Sequence, residues 1–407
     1  MELVELNKIC DLQNGYAFKS SDYVESSNTL NCRMSNIRPQ GYFDVDYAPK
    51  YLPDAYAETY KNYLLEDGDL VIAMTDMAND PKILGVPTIV ETGGKSMLLN
   101  QRVGKLEIIA HELIHVPYLQ YSLNRKSVKK YYTKFAGGGL QLNVGKKQIL
   151  SVKIPLPPLN QQKKIASILD AADGYRQKTK ALMDKYDELT QSLFLDMFGD
   201  PVTNPKGWEI KPLSDFIKSL NTGVSVNSTD KEFKKGDIGI LKTSCVYTGI
   251  FRAEEAKVIR EDEYERMKLN PTADSIIISR MNTSELVGKS SYISKDCNEL
   301  YLPDRLWQSV KGELHHNVRW LSHAVSFQSF MNEISKISSG TSGSMKNISK
   351  KNYLNLKMIY PTLELQNQFA DRVKAVEAQK AQAQESLAKA EDLFNSLLQK
   401  AFKGELV

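Results

Sequence analysis

Cysteine, histidine and tryptophan are scarce in this chain of 407 residues, at four, five and three copies. The cysteines Cys10, Cys32, Cys245 and Cys297 are scattered and fit no metal-ligand or redox spacing, which suits reduced thiols in the cytoplasm. No run approaches the roughly 18 apolar residues of a membrane span, so no membrane partner is expected. Met1 leads directly into ELVELNKIC, without the basic, apolar and small-residue succession of an export signal. Catalytic motifs are also missing. GGKS at 93–96 and GKSS at 288–291 lack the first glycine of a phosphate loop, which would fall at Ile89 or Thr283. The tetrad of an amino-methyltransferase and the Gly-x-Ser-x-Gly elbow of a hydrolase do not occur. Glu255-Ala256-Lys257 has no Pro-Asp upstream to complete a nuclease carboxylate set.

One enzymatic pattern is present. His111-Glu112-Leu113-Ile114-His115 matches the H-E-x-x-H of zinc peptidases. That chemistry needs both histidines on one helical face, with the glutamate as base and a third ligand elsewhere. Pro117 follows closely, and the preceding VGKLEII reads as a strand, so the motif falls at a strand-to-helix turn. A zinc metallopeptidase is therefore the weak alternative, and the chain reads as non-catalytic by itself, with no cofactor of its own.

A net charge of +4 says less than its distribution. Between Leu113 and Leu169 there is no acidic residue against ten basic ones. From Leu314 to Leu363 the only acid is Glu333, against Arg319, Lys336, Lys346, Lys350, Lys351 and Lys357. Two such blocks, rich in Gly, Ser, Asn and Tyr, fit the binding of a phosphate backbone.

The chain is written twice. LNVGKKQILSVKIPLPPLNQQKKI (142–165) aligns without a gap on KNISKKNYLNLKMIYPTLELQNQF (346–369), placing Asn143 on Asn347, Lys146 and Lys147 on Lys350 and Lys351, and Gln162 on Gln366. Fainter echoes lie upstream. Leu3–Leu6 with Asn14-Gly15 matches Ile210–Leu213 with Thr222-Gly223, and SNIRPQGYF (35–43) matches TSCVYTGIF (243–251). GDLVIAM (68–74) matches ADSIIISR (273–280), and LLNQRVGKLEI (98–108) matches YLPDRLWQSVK (301–311). Short β-branched runs between Gly, Pro and Asn turns read as strands, with a short helix expected near 117–132 and another near 318–335.

Each copy ends in a long helix. Ile165, Ile168, Ala172, Tyr175, Thr179, Leu182, Tyr186, Leu189 and Leu193 recur at 3-4 spacing, the seam of a helix packed on a partner helix. The second seam runs Phe369, Val373, Val376, Ala383, Leu387, Ala390, Phe394, Leu397 and Ala401, interrupted by Lys380. The expected fold class is α+β: two pseudo-repeated, strand-rich globular domains, each followed by a long helix, the two helices packed as an antiparallel coiled coil. The boundaries fall at 1–158, 159–200, 201–362 and 363–407. Trp307 and Trp320 are expected in the core.

This layout, with the helix-start motifs IPLPPLNQQKKIASILDAAD (154–173) and IYPTLELQNQF (359–369), and with LTQSLFLDMFGD (189–200) matching LFNSLLQKAFKGEL (393–406), resembles the specificity subunit of type I restriction–modification systems. The resemblance covers essentially the whole chain, although Pro361-Thr362-Leu363-Glu364 departs from Pro157-Pro158-Leu159-Asn160 of the first copy. It implies a DNA-reading adaptor in which 1–158 and 201–362 are target-recognition domains for the halves of a split, asymmetric duplex site. It implies that the helices set their separation and dock two adenine-N6 methyltransferase subunits. Motor and nuclease subunits join such complexes, so S-adenosylmethionine and ATP are expected on partner subunits.

Base recognition calls for forked donors, arginine for guanine and amides for adenine, with lysines on phosphates. The candidate DNA contacts are Arg33, Lys82, Arg102, Lys130, Lys146 and Lys147 in the first domain. In the second they are Arg280, Asn282, Arg305, Lys346, Lys350 and Lys351. Gly137-Gly138-Gly139 and the run SSGTSGS (338–344) would let backbone approach the duplex. The competing reading is a coiled-coil scaffold that never touches DNA, and salt-dependent duplex binding separates the two.

Overall fold

The computed structural model describes residues 2–137, 139–340 and 345–406, so Gly138 of the glycine run and residues 341–344 of the SSGTSGS run lie outside the described residues. The chain divides into two compact units, Met1–Thr179 with Glu385–Val407, and Lys180–Gln384.

In the first unit, Cys10–Asn14, Val103–Ile108, Leu70–Ala73 and Pro87–Ile89 lie side by side in that order, all antiparallel. Leu70–Ala73 is buried throughout, as its unbroken apolar run requires of a strand covered on both faces. A second sheet has the order Tyr51–Leu52, Thr29–Cys32, Ser96–Leu99, Leu64–Leu65. Leu3–Glu5 pairs with Lys153–Pro155 and ties the start of the domain to its end. Two helices, α1 (Val116–Leu123) and α2 (Lys126–Phe135), replace the single helix expected over 117–132. Arg125 is extended between them (ψ 143°). This break lets Tyr118, Leu119 and Leu123 of α1 and Val128 and Tyr132 of α2 all reach one core. The long helix α3 (Leu159–Phe198) begins just past the Pro157-Pro158 turn.

The second unit repeats the plan. Its sheet order is Ile217–Thr222, Leu306–Lys311, Ser275–Ser279, Ser290–Ile293, and Glu209–Pro212 pairs with Lys357–Tyr360. Here too a helix pair, α4 (Val318–Val325) and α5 (Gln328–Ile337), stands where one helix was expected. The second long helix is α6 (Leu363–Lys403). Trp307 and Trp320 are fully buried, in keeping with the sequence reading. The echoed strands fall on their counterparts, and one glycine pair shows why the echo persists. A side chain at Gly15 would come 2.2 Å from the Asn100 carbonyl oxygen, and one at Gly223 1.7 Å from that of Leu302. Only glycine permits so close an approach of backbone to backbone.

Within each unit α3 and α6 pack antiparallel. In the first, Ile165 and Leu169 from the start of α3 share a core with Phe394 and Ala401 from the end of α6. In the second, Phe194 and Phe198 from the end of α3 meet Phe369 near the start of α6, with ring centroids 5.5 and 5.4 Å apart. The α6 seam follows the expected residues, and Lys380 reaches Asp187 on α3. The α3 seam needs correction. Tyr175, Leu182 and Leu189 are exposed, and Arg176, Met183 and Thr190 turn inward instead. A strict seven-residue reading drifts by roughly 20° per heptad on a straight helix, and polar side chains with partners displace it. The Arg176 guanidinium lies 4.4 Å from the centre of the Phe394 ring and bonds Asp173.

Each helix start is held by one buried glutamine. Gln162 Nε2 donates to the carbonyl oxygens of Leu113 (2.7 Å) and Pro157 (2.8 Å), and its Oε1 accepts from the His115 N–H (2.9 Å). Gln366 repeats this, donating to Pro361 (2.8 Å) and accepting from the Asn317 N–H (2.9 Å). Both side chains are fully buried.

The copies differ at one loop. In the first unit Gln120 and Asn124 donate to the carbonyls of Gly41 (2.7 Å) and Gln40 (2.8 Å). The Tyr42 hydroxyl donates to Asp173 (2.9 Å) and accepts from Arg176 (2.6 Å). Burial, with the Asp173 carboxylate beside it, pushes the phenol pKa up to about 12. In the second unit the equivalent loop carries the exposed Ile250, and Ser322 and Ser326 stand in place of Gln120 and Asn124. A cleft of about 770 Å³ opens there, lined by Tyr247, Ile250, Arg319, His323, Glu377 and Lys380.

Losing either glutamine strands buried backbone groups without partners, a cost of about 1–3 kcal/mol. Gln162→Ala and Gln366→Ala should each lower the urea midpoint accordingly, whereas the exposed neighbour variant Gln161→Ala should stay within about 0.5 kcal/mol of wild type.

Candidate nucleic-acid interface

A short ribbon lies beside the main sheet of the first unit. Thr75–Met77 pairs antiparallel with Gln141–Asn143, with Thr75 opposite Asn143 and Met77 opposite Gln141. Directly opposed residues share a face, and the Thr75 hydroxyl accordingly donates to the Asn143 side-chain oxygen (2.7 Å). The residue leading into the ribbon, Met74, donates its N–H to the Arg102 carbonyl (3.0 Å) and accepts from the Val144 N–H (2.9 Å). Asn143 also pairs backbone to backbone with Gly137, which closes the intervening loop. Leu140 stands in that loop, 88% exposed, and Met77 at the adjoining strand end is 48% exposed. On the ribbon's other face Asp76 is buried and accepts from the N–H groups of Met77 (2.7 Å), Leu84 (3.0 Å) and Ile83. One carboxylate thereby pins the loop that carries Lys82.

The second unit builds the same ribbon. Met281–Asn282 pairs with Lys346–Asn347, and Asn347 pairs again with Ser339. Arg280 donates its N–H to the Arg305 carbonyl (3.1 Å) and accepts from the Ile348 N–H (3.0 Å). Arg280, Asn282, Arg305 and Lys346 therefore gather at one ribbon, with the exposed Lys350 and Lys351 opening the helical turn that follows. Met345, at the start of the returning strand, is 46% exposed.

The chosen residues differ in freedom. In the first unit Arg102 is exposed at the ribbon's base, and half-buried Arg33 follows Cys32, whose carbonyl accepts from the Asn100 N–H (3.1 Å). Lys146 pairs with Asp11 (2.6 Å), whose carboxyl it holds below the ordinary carboxylate range. Lys82 pairs with Asp80 (2.8 Å), and Lys147 is exposed. Lys130 lies on the exposed face of α2, apart from this group. In the second unit Arg280 donates from Nε to the Asp304 carbonyl (2.7 Å), and Asn282 donates to the Tyr247 hydroxyl (2.6 Å). Arg305 is exposed. The His111–His115 motif occupies the turn before α1, with His111 and Glu112 exposed and the His115 N–H spent on Gln162, so one helical face does not present both histidines.

Sequence reading missed Met77, Leu140, Gln141 and Asp76. Their strands are three residues each and lie far apart in the chain, and no periodicity marks segments so short. The only available signal was the apolar Leu140 set between a glycine run and a polar strand.

The repeat found in the sequence and in the two folds has a counterpart among known proteins. A family model described as the type I restriction modification DNA specificity domain matches twice, over residues 1–185 and 205–391. The chain belongs to the type I restriction–modification specificity family. Among relatives in this family, the EcoKI specificity subunit of Escherichia coli K12 is 23% identical over 389 residues, 88% of this chain and 82% of that one. The MjaVIII specificity subunit of Methanocaldococcus jannaschii is 30% identical over 200 residues, 48% of this chain, and this chain matches less than half, 45%, of that relative's length. Among solved structures, the S subunit of a type I restriction–modification system from M. genitalium has a TM-score of 0.60 at 12% identity, covering 98% of this chain and 96% of that one. A chain from work on complex assembly and conformational transition of the type I system has a TM-score of 0.53 at 16% identity, covering 100% and 98%. At such identities the likeness of structure establishes the shared fold of the specificity family.

Asp76 makes the ribbon testable without DNA. Asp76→Ala should cost about 1–3 kcal/mol and speed hydrogen exchange at Ile83 and Leu84, leaving exchange in Cys10–Asn14 unchanged. Unchanged exchange at Ile83 would show the loop to be held otherwise.

Proposed function

We propose that the chain is a non-catalytic DNA-reading subunit of a type I restriction–modification complex. Each unit reads one half of a split, asymmetric duplex site, and the paired helices set the spacing. The observation that carries this reading is the duplicated ribbon, with cations at its base in both halves of a chain that matches the family's DNA specificity domain twice. A two-stranded ribbon fits the major groove, where base edges are distinguishable. Arg33, Arg102, Arg280, Asn282 and Arg305 are proposed for base edges and adjoining phosphates. Lys82, Lys130, Lys146, Lys147, Lys346, Lys350 and Lys351 are proposed for phosphates.

The pair Leu182 and Leu189 supports a docking role for the helices. It is exposed, apolar and spaced by seven residues on α3, the form in which a helix meets a partner helix. Two adenine-N6 methyltransferase subunits are the proposed occupants, with motor and nuclease subunits joining them, and S-adenosylmethionine and ATP bound on those partners. The proposed location is the cytoplasm. Among the described residues no helix is long and apolar enough to cross a membrane.

With a cognate methyltransferase, the chain should direct adenine methylation only to duplexes carrying both half-sites. Methylation of a duplex lacking either half overturns the reading. Replacing Lys146, Lys147, Lys350 and Lys351 by alanine should weaken binding on all sequences alike and lower the salt slope by about one unit per lost phosphate contact. An unchanged slope would remove these lysines from the interface.

A further inference from the structure

Leu140 is the most exposed large apolar side chain among the described residues. A single exposed leucine is ordinary, but its setting is not. It stands in the loop closed by Gly137 and Asn143, and Ala78 donates its N–H to the Leu140 carbonyl (3.1 Å), which brings it to the Met77 end of the ribbon. The tip is therefore apolar and exposed while Arg102 lies at the base, and Lys146 follows on the turn after the ribbon. The ribbon is also braced. Asp76 fixes its rear face through three backbone N–H groups, and Asn143 is paired on both sides, with Thr75 and with Gly137. A braced support with cations behind an apolar tip suits insertion against stacked bases, where a freely moving leucine would gain little.

We infer that Leu140, supported by Met77, is an apolar wedge that the first unit sets against a base step of duplex DNA. Side chains of this kind unstack and kink a duplex, and the deformation cost depends on the step being opened, so the contact adds sequence preference without a hydrogen bond. In the second unit the position matching Leu140 is Ser344, outside the described residues, and the exposed Met345 precedes the strand at Lys346. This inference rests on the proposal that the chain binds duplex DNA, and the test separates the two.

The full chain, with its methyltransferase subunits, is titrated with a duplex carrying the site mapped by sequencing methylated adenines. Aminopurine is placed in turn at each step of the half-site other than those flanking the methylated adenine, which the methyltransferase itself extrudes. Wild type should show a fluorescence rise at one step. Leu140→Ala should abolish that rise and weaken binding on the order of tenfold, with the salt slope unchanged, while Leu140→Phe should retain the rise. Lys146→Ala should do the reverse, lowering the slope and keeping the rise. Because Leu140 is exposed, its variants should match wild type in circular dichroism and urea midpoint. Wild-type affinity and fluorescence in Leu140→Ala overturn the wedge while leaving DNA binding intact. Weakened assembly with the methyltransferase and unchanged DNA binding would assign the tip to a protein partner and also overturn it. Absence of salt-dependent duplex binding by wild type would overturn the proposed function and the wedge together.

Discussion

A carboxamide with no exposed surface sits at the start of each long helix, and much of the architecture depends on it. Gln162 binds the carbonyls of Leu113 and Pro157 and the N–H of His115, so it joins the helix, the turn before it and the segment leading into α1. Gln366 ties Pro361 to Asn317 in the same manner. An amide can both donate and accept, which is why a single residue type satisfies both kinds of orphaned backbone group. Burying it is costly unless all its partners are in place. The bond network therefore fixes the direction in which each helix leaves its globular domain.

From that direction the remaining features follow. A helix with its start clamped leaves its globular domain in a fixed direction, and its apolar edge is covered by the globular cores and by the other long helix. The aromatic contacts of Phe194 and Phe198 with Phe369, and of Arg176 with Phe394, provide that cover within the two units. The polar ribbons are left outside the cores, close to the segments where acidic residues are absent from the chain. The residues proposed to contact DNA thereby sit on or beside short strands, supported by a scaffold whose residues are constrained by packing.

That division explains what could be read from the sequence. The repeat at 142–165 and 346–369 was legible because Pro157, Gln162, Pro361 and Gln366 hold fixed backbone positions. The α6 seam was legible for a related reason, since its inward residues are apolar almost throughout. The α3 seam misled because Arg176 and Thr190 point inward with polar partners, so apolar spacing alone selected Tyr175, Leu182 and Leu189. Each helix pair was read as one helix because Arg125 and Phe327, where the chain turns extended, are not helix breakers. The ribbons rest on pairing between Thr75 and Asn143, or Met281 and Asn347, and local patterning carries no trace of partners so distant.

The loop that carries Tyr42 marks where the two copies cease to be equivalent. In the first unit four hydrogen bonds fasten it to α1 and α3. In the second, Ile250 is exposed over an open cleft, and no such attachment is found among the described residues. Duplication has preserved shape while letting stiffness diverge. A load applied to the first loop passes directly into its helix, whereas the second loop yields first. At this loop the first unit is thereby the firmer of the two copies and the second the more compliant.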